Sequence, residues 1–154
     1  MGTFLLAGSA PGAALATDSP PTDLSGYTAH LATSRPSVYR RWREILPVQF
    51  AGTRWLSRFE GVTAPTRTVA VGGATMIFGS ACKPHDCGDN QVALLASPDG
   101  SRVVAVVHLS TGTRMRNGTW TTDRAVLILG SPSDVELSCL KTVDADKEAR
   151  VQSC

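Results

Sequence analysis

The chain has 154 residues, 42% of them hydrophobic and 18% charged, with a formal net charge of +2, an ordinary globular balance that fits one domain with one core and excludes wholesale disorder. Its fifteen Lys and Arg are scattered apart from Arg40, Arg41 and Arg43, which leaves no basic stripe to track a phosphate backbone, so nucleic acid is not an expected partner. No apolar run approaches the roughly 18 to 20 residues that cross a bilayer, and no membrane span is expected.

Met1 to Ala16 is uncharged and rich in Gly, Ala and Leu, and Ala14-Leu15-Ala16 is a small-residue site of the kind signal peptidase cuts. Residues 1–16 therefore read as an export signal, one that lacks the usual basic start and is shortened by Pro11-Gly12, as if truncated. Residues 17–24 carry Pro20-Pro21 and little apolar content, the composition of a linker, and residues 25–154 form the expected folded domain. Four cysteines in an exported chain favour disulfides and permit three pairings. Proximity favours Cys82 with Cys87, which leaves Cys139 with Cys154.

In chain order, Ser34 or Ser37 can cap a helix that has Pro36 in its first turn. Val38, Trp42 and Ile45 then recur at helical spacing, and Pro47 ends it. Trp55 and Phe59 share the i, i+4 spacing and are assigned to the core, in a segment kept short by Gly52 and Gly61. From Thr66 the period changes. Thr66–Val71 and Ala74–Gly79 flank Gly72-Gly73, a pair suited to the positive φ angles of a two-residue hairpin turn. Gln91–Ala96 and Arg102–Leu109 form a second strand pair around Ser97-Pro98-Asp99-Gly100, and Val103–Val107 is apolar enough to lie centrally. His108, at a strand end, is assigned no chemistry. Arg114–Asp123 is polar and reads as a loop or edge, and Ala125–Leu129 as a further strand. Ser131-Pro132-Ser133-Asp134 reads as a cap on a helix carrying Val135, Leu137 and Leu140, with Ser131 at the cap and Asp134 three residues on. The order predicts a single α+β domain: an antiparallel sheet with helices packed on one side.

Between the strand ending near Gly79 and the one beginning at Gln91 lies Ser80-Ala81-Cys82-Lys83-Pro84-His85-Asp86-Cys87-Gly88, far more than a hairpin needs. The excess predicts a protrusion. With Cys82 bridged to Cys87 both ends are tied, Pro84 fixes its own φ, and Lys83 is held extended because it precedes proline. A loop shaped in advance avoids the roughly 0.5 to 1.5 kcal/mol that each immobilised side chain costs on binding.

This run resembles the signature of the Ivy family, exported inhibitors of vertebrate lysozyme from Gram-negative bacteria. The likeness extends more loosely from about Ala29 to Leu109, and Cys139 and Cys154 lie outside the motif. The resemblance implies that the chain is not an enzyme, that it is periplasmic or secreted, and that its partner is a chicken-type lysozyme; it leaves monomer and homodimer open. It also implies that the bridged loop enters the lysozyme cleft and that His85 hydrogen-bonds both catalytic carboxyl groups. Cys82 and Cys87 are then the clamp, with Lys83, Pro84 and Asp86 as the frame. The chemistry is sound in itself, because a retaining glycosidase holds its two carboxyl groups roughly 5 Å apart and an imidazole has two nitrogens with which to engage them. For Asp86 two roles stand level, orienting the ring or capping a turn within the loop.

Other readings of the same residues fit less well. Cys82, His85, Cys87 and Cys139 are all metal-ligand types, but the usual zinc spacings are absent, so neither a metal nor any other cofactor is expected. Four residues between Cys82 and Cys87, with no helix start beside them, do not make a redox pair. No nucleophile, base and orienter stand together. A bridge that merely staples a small exported domain would explain the cysteines but not the protruding Lys-Pro-His-Asp, and a disulfide-stapled binding module with another target is the alternative reading.

Overall fold

The computed structural model describes residues 26–145. The signal read at 1–16, the linker at 17–24 and the pairing expected for Cys154 lie outside the described residues.

A 3-10 turn at Thr28–His30 leads into α1 (Leu31–Ser34) and α2 (Pro36–Ile45). Pro36 takes the first helical position, where its missing N–H costs nothing. Neither serine caps this helix: Arg35 occupies the cap position without a side-chain capping bond to the helix, and the Ser34 hydroxyl donates back to the His30 carbonyl at 2.8 Å. α3 (Arg54–Ser57) follows, then β1 (Val62–Thr63), β2 (Arg67–Val71), β3 (Ala74–Cys82), β4 (Gln91–Ala96), β5 (Val103–Arg116), β6 (Thr119–Leu129) and α4 (Asp134–Ala145). The strands make one antiparallel sheet in the order β1-β3-β4-β5-β6, with β2 pairing the other half of β3. Gly72 and Gly73 turn the β2–β3 hairpin with φ of 57° and 84°, as their sequence predicts.

The single antiparallel α+β domain is as expected, while the helices divide between the two faces of the sheet instead of sharing one. Val38, Trp42, Leu56 and Phe59 pack on one face, against Val92, Leu94, Ala96, Val103, Ala105 and Val107. Cys139 and Leu140 of α4 pack on the other face, against Ala93, Leu95, Val104 and Val106. Successive residues of β4 and β5 thus enter opposite cores, which is why both strands are continuous apolar runs and not alternating ones. Trp42 anchors the first core: it is fully buried, its ring lies 5.2 Å from that of Phe59, and its indole N–H donates to the Leu56 carbonyl at 3.2 Å.

The second core is closed by a polar latch. The cap of α4 is Ser133, not Ser131, and the box it forms is with Glu136: the Ser133 N–H donates to the Glu136 carboxylate at 2.7 Å, and the Glu136 N–H to the Ser133 hydroxyl at 3.3 Å. Arg102, just before β5, grips the same carboxylate with two bonds of 2.5 and 2.6 Å. The guanidinium, opposed in part by burial and helped by Ser133, lowers the Glu136 carboxyl from 4.5 to about 2. A carboxyl depressed in the folded state stabilises the fold above its unfolded value and loses that contribution as pH falls toward its folded value. Glu136→Gln is therefore expected to cost about 2 kcal/mol at pH 6, discounted for the half-exposed Arg102, and much less at pH 3. Urea midpoints at the two pH values check this, and an equal deficit at both would contradict it.

Candidate functional site

β3 runs three residues beyond Gly79, so Cys82 is its last residue and pairs with Gln91, the first of β4. The loop is the eight residues between them. At its base the Lys83 N–H donates to the Asn90 carbonyl at 3.0 Å, which extends the ladder by one rung. Cys82 and Cys87 are bridged, with Cα atoms 4.9 Å apart. Gly61 packs so closely on the Cys82 carbonyl that a Cβ there would overlap it, so the β1 edge supports the root of the loop.

The apex is a tight turn, Lys83-Pro84-His85-Asp86, closed by the Asp86 N–H donating to the Lys83 carbonyl at 3.0 Å. Pro84 stands at its second position, and His85 at the third has φ of 64°. That is the type II pattern, whose third position favours Gly or Asn. A histidine held there costs about 1 kcal/mol or more relative to glycine. Lys83, Pro84 and His85 are exposed, and Cys82, Asp86 and Cys87 half-buried.

Among the described residues the Asp86 side chain takes neither of the two roles: it braces the loop through side-chain partners on both sides and accepts from no backbone N–H. Its carboxylate accepts from the Asn90 amide at 2.7 Å and from the Lys83 ammonium at 3.1 Å, and among the described residues no hydrogen bond or ion pair joins it to His85. Asn90 is the residue that sequence reasoning missed. It is buried, its N–H donates to the Asp86 carbonyl at 3.0 Å, and its side-chain oxygen accepts the Ser110 N–H of β5 at 3.0 Å. Beside it, Arg124 of β6 donates to the Asp89 carboxylate at 2.7 Å. The loop is thus fixed to the next two strands as well as across its own neck.

A groove of about 500 Å³ runs beside the loop root, lined by Val62, Pro65, Arg67, Phe78, Cys82 and Gln91 among others. Arg67, which lies 4.8 Å over the Phe78 ring, is the one charged side chain among the described residues that line it. With both sulfurs of Cys82 and Cys87 in the bridge, neither is a thiolate for metal or redox chemistry. Among the described residues no group of three or more His, Cys, Asp or Glu side chains is gathered as a metal site, and no helix is long and apolar enough to cross a membrane.

The sheet thus displays a four-residue turn whose shape is held by the bridge across its neck and by bonds at its base. The family model for "Inhibitor of vertebrate lysozyme (Ivy)" matches residues 37–134, more than half of the chain, and the chain belongs to that family of inhibitors. It is 25% identical over 67 residues to an inhibitor of vertebrate lysozyme from Pseudomonas aeruginosa, covering 44% of each protein. With the protein of that name from Escherichia coli K12 it shares 37% identity over 46 residues, 30% of this chain and 29% of the relative. An uncharacterized protein of Yersinia pestis is 29% identical over 69 residues, 45% of each. The matched stretches span less than half the length of these relatives.

Proposed function

We propose that this protein inhibits a chicken-type lysozyme by seating the Cys82–Cys87 loop in the active-site cleft, with His85 engaging both catalytic carboxyl groups. The observation that carries this reading is His85 itself, exposed at the apex of a turn that its own backbone preference disfavours. Strain at an exposed side chain adds nothing to the fold, and is the kind of feature kept for recognition. In a retaining glycosidase the acid is protonated and the nucleophile ionised at separations of roughly 5 Å, so one imidazole that donates to the carboxylate and accepts from the acid satisfies both. Lys83 and Asp86 brace the turn from its two ends, and Pro84 limits its freedom before binding. Such a protein acts where lysozyme meets the cell, in the periplasm or outside it, in keeping with the export signal read at residues 1–16.

Titrating the purified protein into a lysozyme lysis assay tests this. Inhibition that saturates near one inhibitor per enzyme is expected, and full lytic activity with excess oxidised protein would overturn it. The bridge provides a second arm. A loop this short gains little closure entropy from its disulfide, so reduction is expected to shift thermal stability slightly while weakening inhibition several-fold through loss of loop shape. A parallel loss of fold and inhibition would show the bridge to be a global staple.

A further inference from the structure

Of the two readings of Arg114–Asp123, loop or edge, the structure takes the edge: the stretch is strand, and β6 is the last strand of the sheet. β5 and β6 run on as a two-stranded arm beyond His108, the last β5 residue paired to β4. Thr111 is the extra residue of a bulge between Ser110 and Gly112, and Asn117-Gly118, with φ of 48° and 78°, closes the tip. The arm leaves the sheet at the same end as the Cys82–Cys87 loop, since Cys82 pairs Gln91 and Gln91 pairs His108. Two bonds tie the base of the arm to the base of the loop, Ser110 N–H to Asn90 and Arg124 to Asp89. Seven residues of β5, Ser110–Arg116, extend roughly 23 Å at 3.3 Å each, well past a four-residue turn.

Near the tip, Met115 and Trp120 stand directly opposite one another, 57% and 66% exposed. Alternation along β6 puts Thr122 and Arg124 on the same face as Trp120, followed by the exposed Val126 and Ile128 back in the sheet, so the apolar surface of the arm itself is the Met115–Trp120 pair near its tip. Its charge is largely balanced: Arg114 pairs with Asp123, and Arg124 with Asp89. This is not the bare cationic surface that a polyanion would require. A stable inhibitor interface takes about 20 to 30 residues a side and roughly 800 Å² per partner, which a four-residue turn cannot supply.

We propose that the Met115–Trp120 pair is a second contact on the same lysozyme, resting on the enzyme surface beside the cleft. This builds on the loop-in-cleft reading. The arm then supplies the missing area and an aromatic anchor of the kind that dominates binding energy. Its bonded base fixes where that anchor lies relative to His85.

Calorimetric titration of lysozyme with the wild type, Trp120→Thr, Met115→Thr and His85→Ala tests it, with sedimentation of each free protein. Threonine preserves strand preference while deleting the apolar surface. Trp120→Thr is expected to weaken the complex about 30-fold or more, the factor that corresponds to a hot spot, yet still to silence lysozyme fully at saturation because the loop is intact. Wild-type affinity within twofold in folded Trp120→Thr would overturn the proposal. So would a change from dimer to monomer with lysozyme affinity unchanged, which would assign the Met115–Trp120 pair to a second copy of this chain. If His85→Ala is silent while Trp120→Thr weakens binding, the arm contact stands and the loop reading fails; if the wild type does not bind lysozyme, both fail. Amide exchange over residues 111–121 of the unmutated protein answers the same question without a substitution: slower exchange in the complex supports the contact, and unchanged exchange contradicts it.

Discussion

His85→Ala is expected to abolish most inhibition and leave the fold untouched. The side chain is exposed and makes no hydrogen bond or ion pair within the described residues, so its loss removes nothing that holds the domain together. Against lysozyme the loss should reach about 2 kcal/mol or more, roughly 30-fold in Kd, because the two carboxyl groups of the cleft would lose their shared partner while still shut off from water. The backbone sharpens the test. At φ of 64° a glycine is more comfortable than any other residue, so His85→Gly should match or slightly exceed the wild type in thermal stability while inhibiting as poorly as His85→Ala. Denaturation midpoints set beside inhibition titrations for the two variants check this. A folded variant of either kind with full inhibitory strength would mean that recognition lies elsewhere.

Trp42→Ala is the opposite experiment. Trp42 is fully buried between α2, α3 and the sheet, stacked on Phe59 and bonded to the Leu56 carbonyl. Truncation leaves a large cavity and an unpaired carbonyl, with an expected cost of about 3 to 5 kcal/mol, a large share of the 5 to 15 kcal/mol of a typical domain. The cluster reaches the root of the loop through Ala81 and Val92, but the Lys83–Asp86 turn lies beyond it and is held by its own bridge and bonds, so the fraction that stays folded should inhibit normally. Inhibition should therefore track the folded population measured by circular dichroism across temperature. Inhibition lost in a fully folded sample would show that the first core sets the shape of the turn.

The sequence makes legible what is settled locally. Pro36 with Val38 and Trp42 marks α2, Gly72-Gly73 marks a hairpin, and Cys82–Cys87 with Pro84 marks a closed turn, each through a backbone or spacing rule that needs no distant partner. The two-sided burial was written in Val92–Ala96 and Val103–Val107, where five consecutive apolar residues need cover on both faces, but which helix covers which face depends on the return of α4 across the sheet. Ser131 and Ser133 offer competing caps, and the choice fell to Ser133 because Glu136 three residues on is also the partner of Arg102, some thirty residues earlier. The arm was hidden for the reverse reason: both its faces meet water, so no alternation marks it, and Asn117-Gly118 was the one local signal. Asn90 could not be singled out at all, because its partners Asp86 and Ser110 come together only when the strands are paired.

Occupancy of the cleft is most directly measured by competition. Binding of this protein to lysozyme, titrated in the presence of an N-acetylglucosamine oligosaccharide that fills the cleft, should show an apparent Kd that rises in proportion to the saccharide concentration. An apparent Kd that does not change as the saccharide saturates the enzyme would place the inhibitor outside the cleft and contradict insertion of the His85 loop.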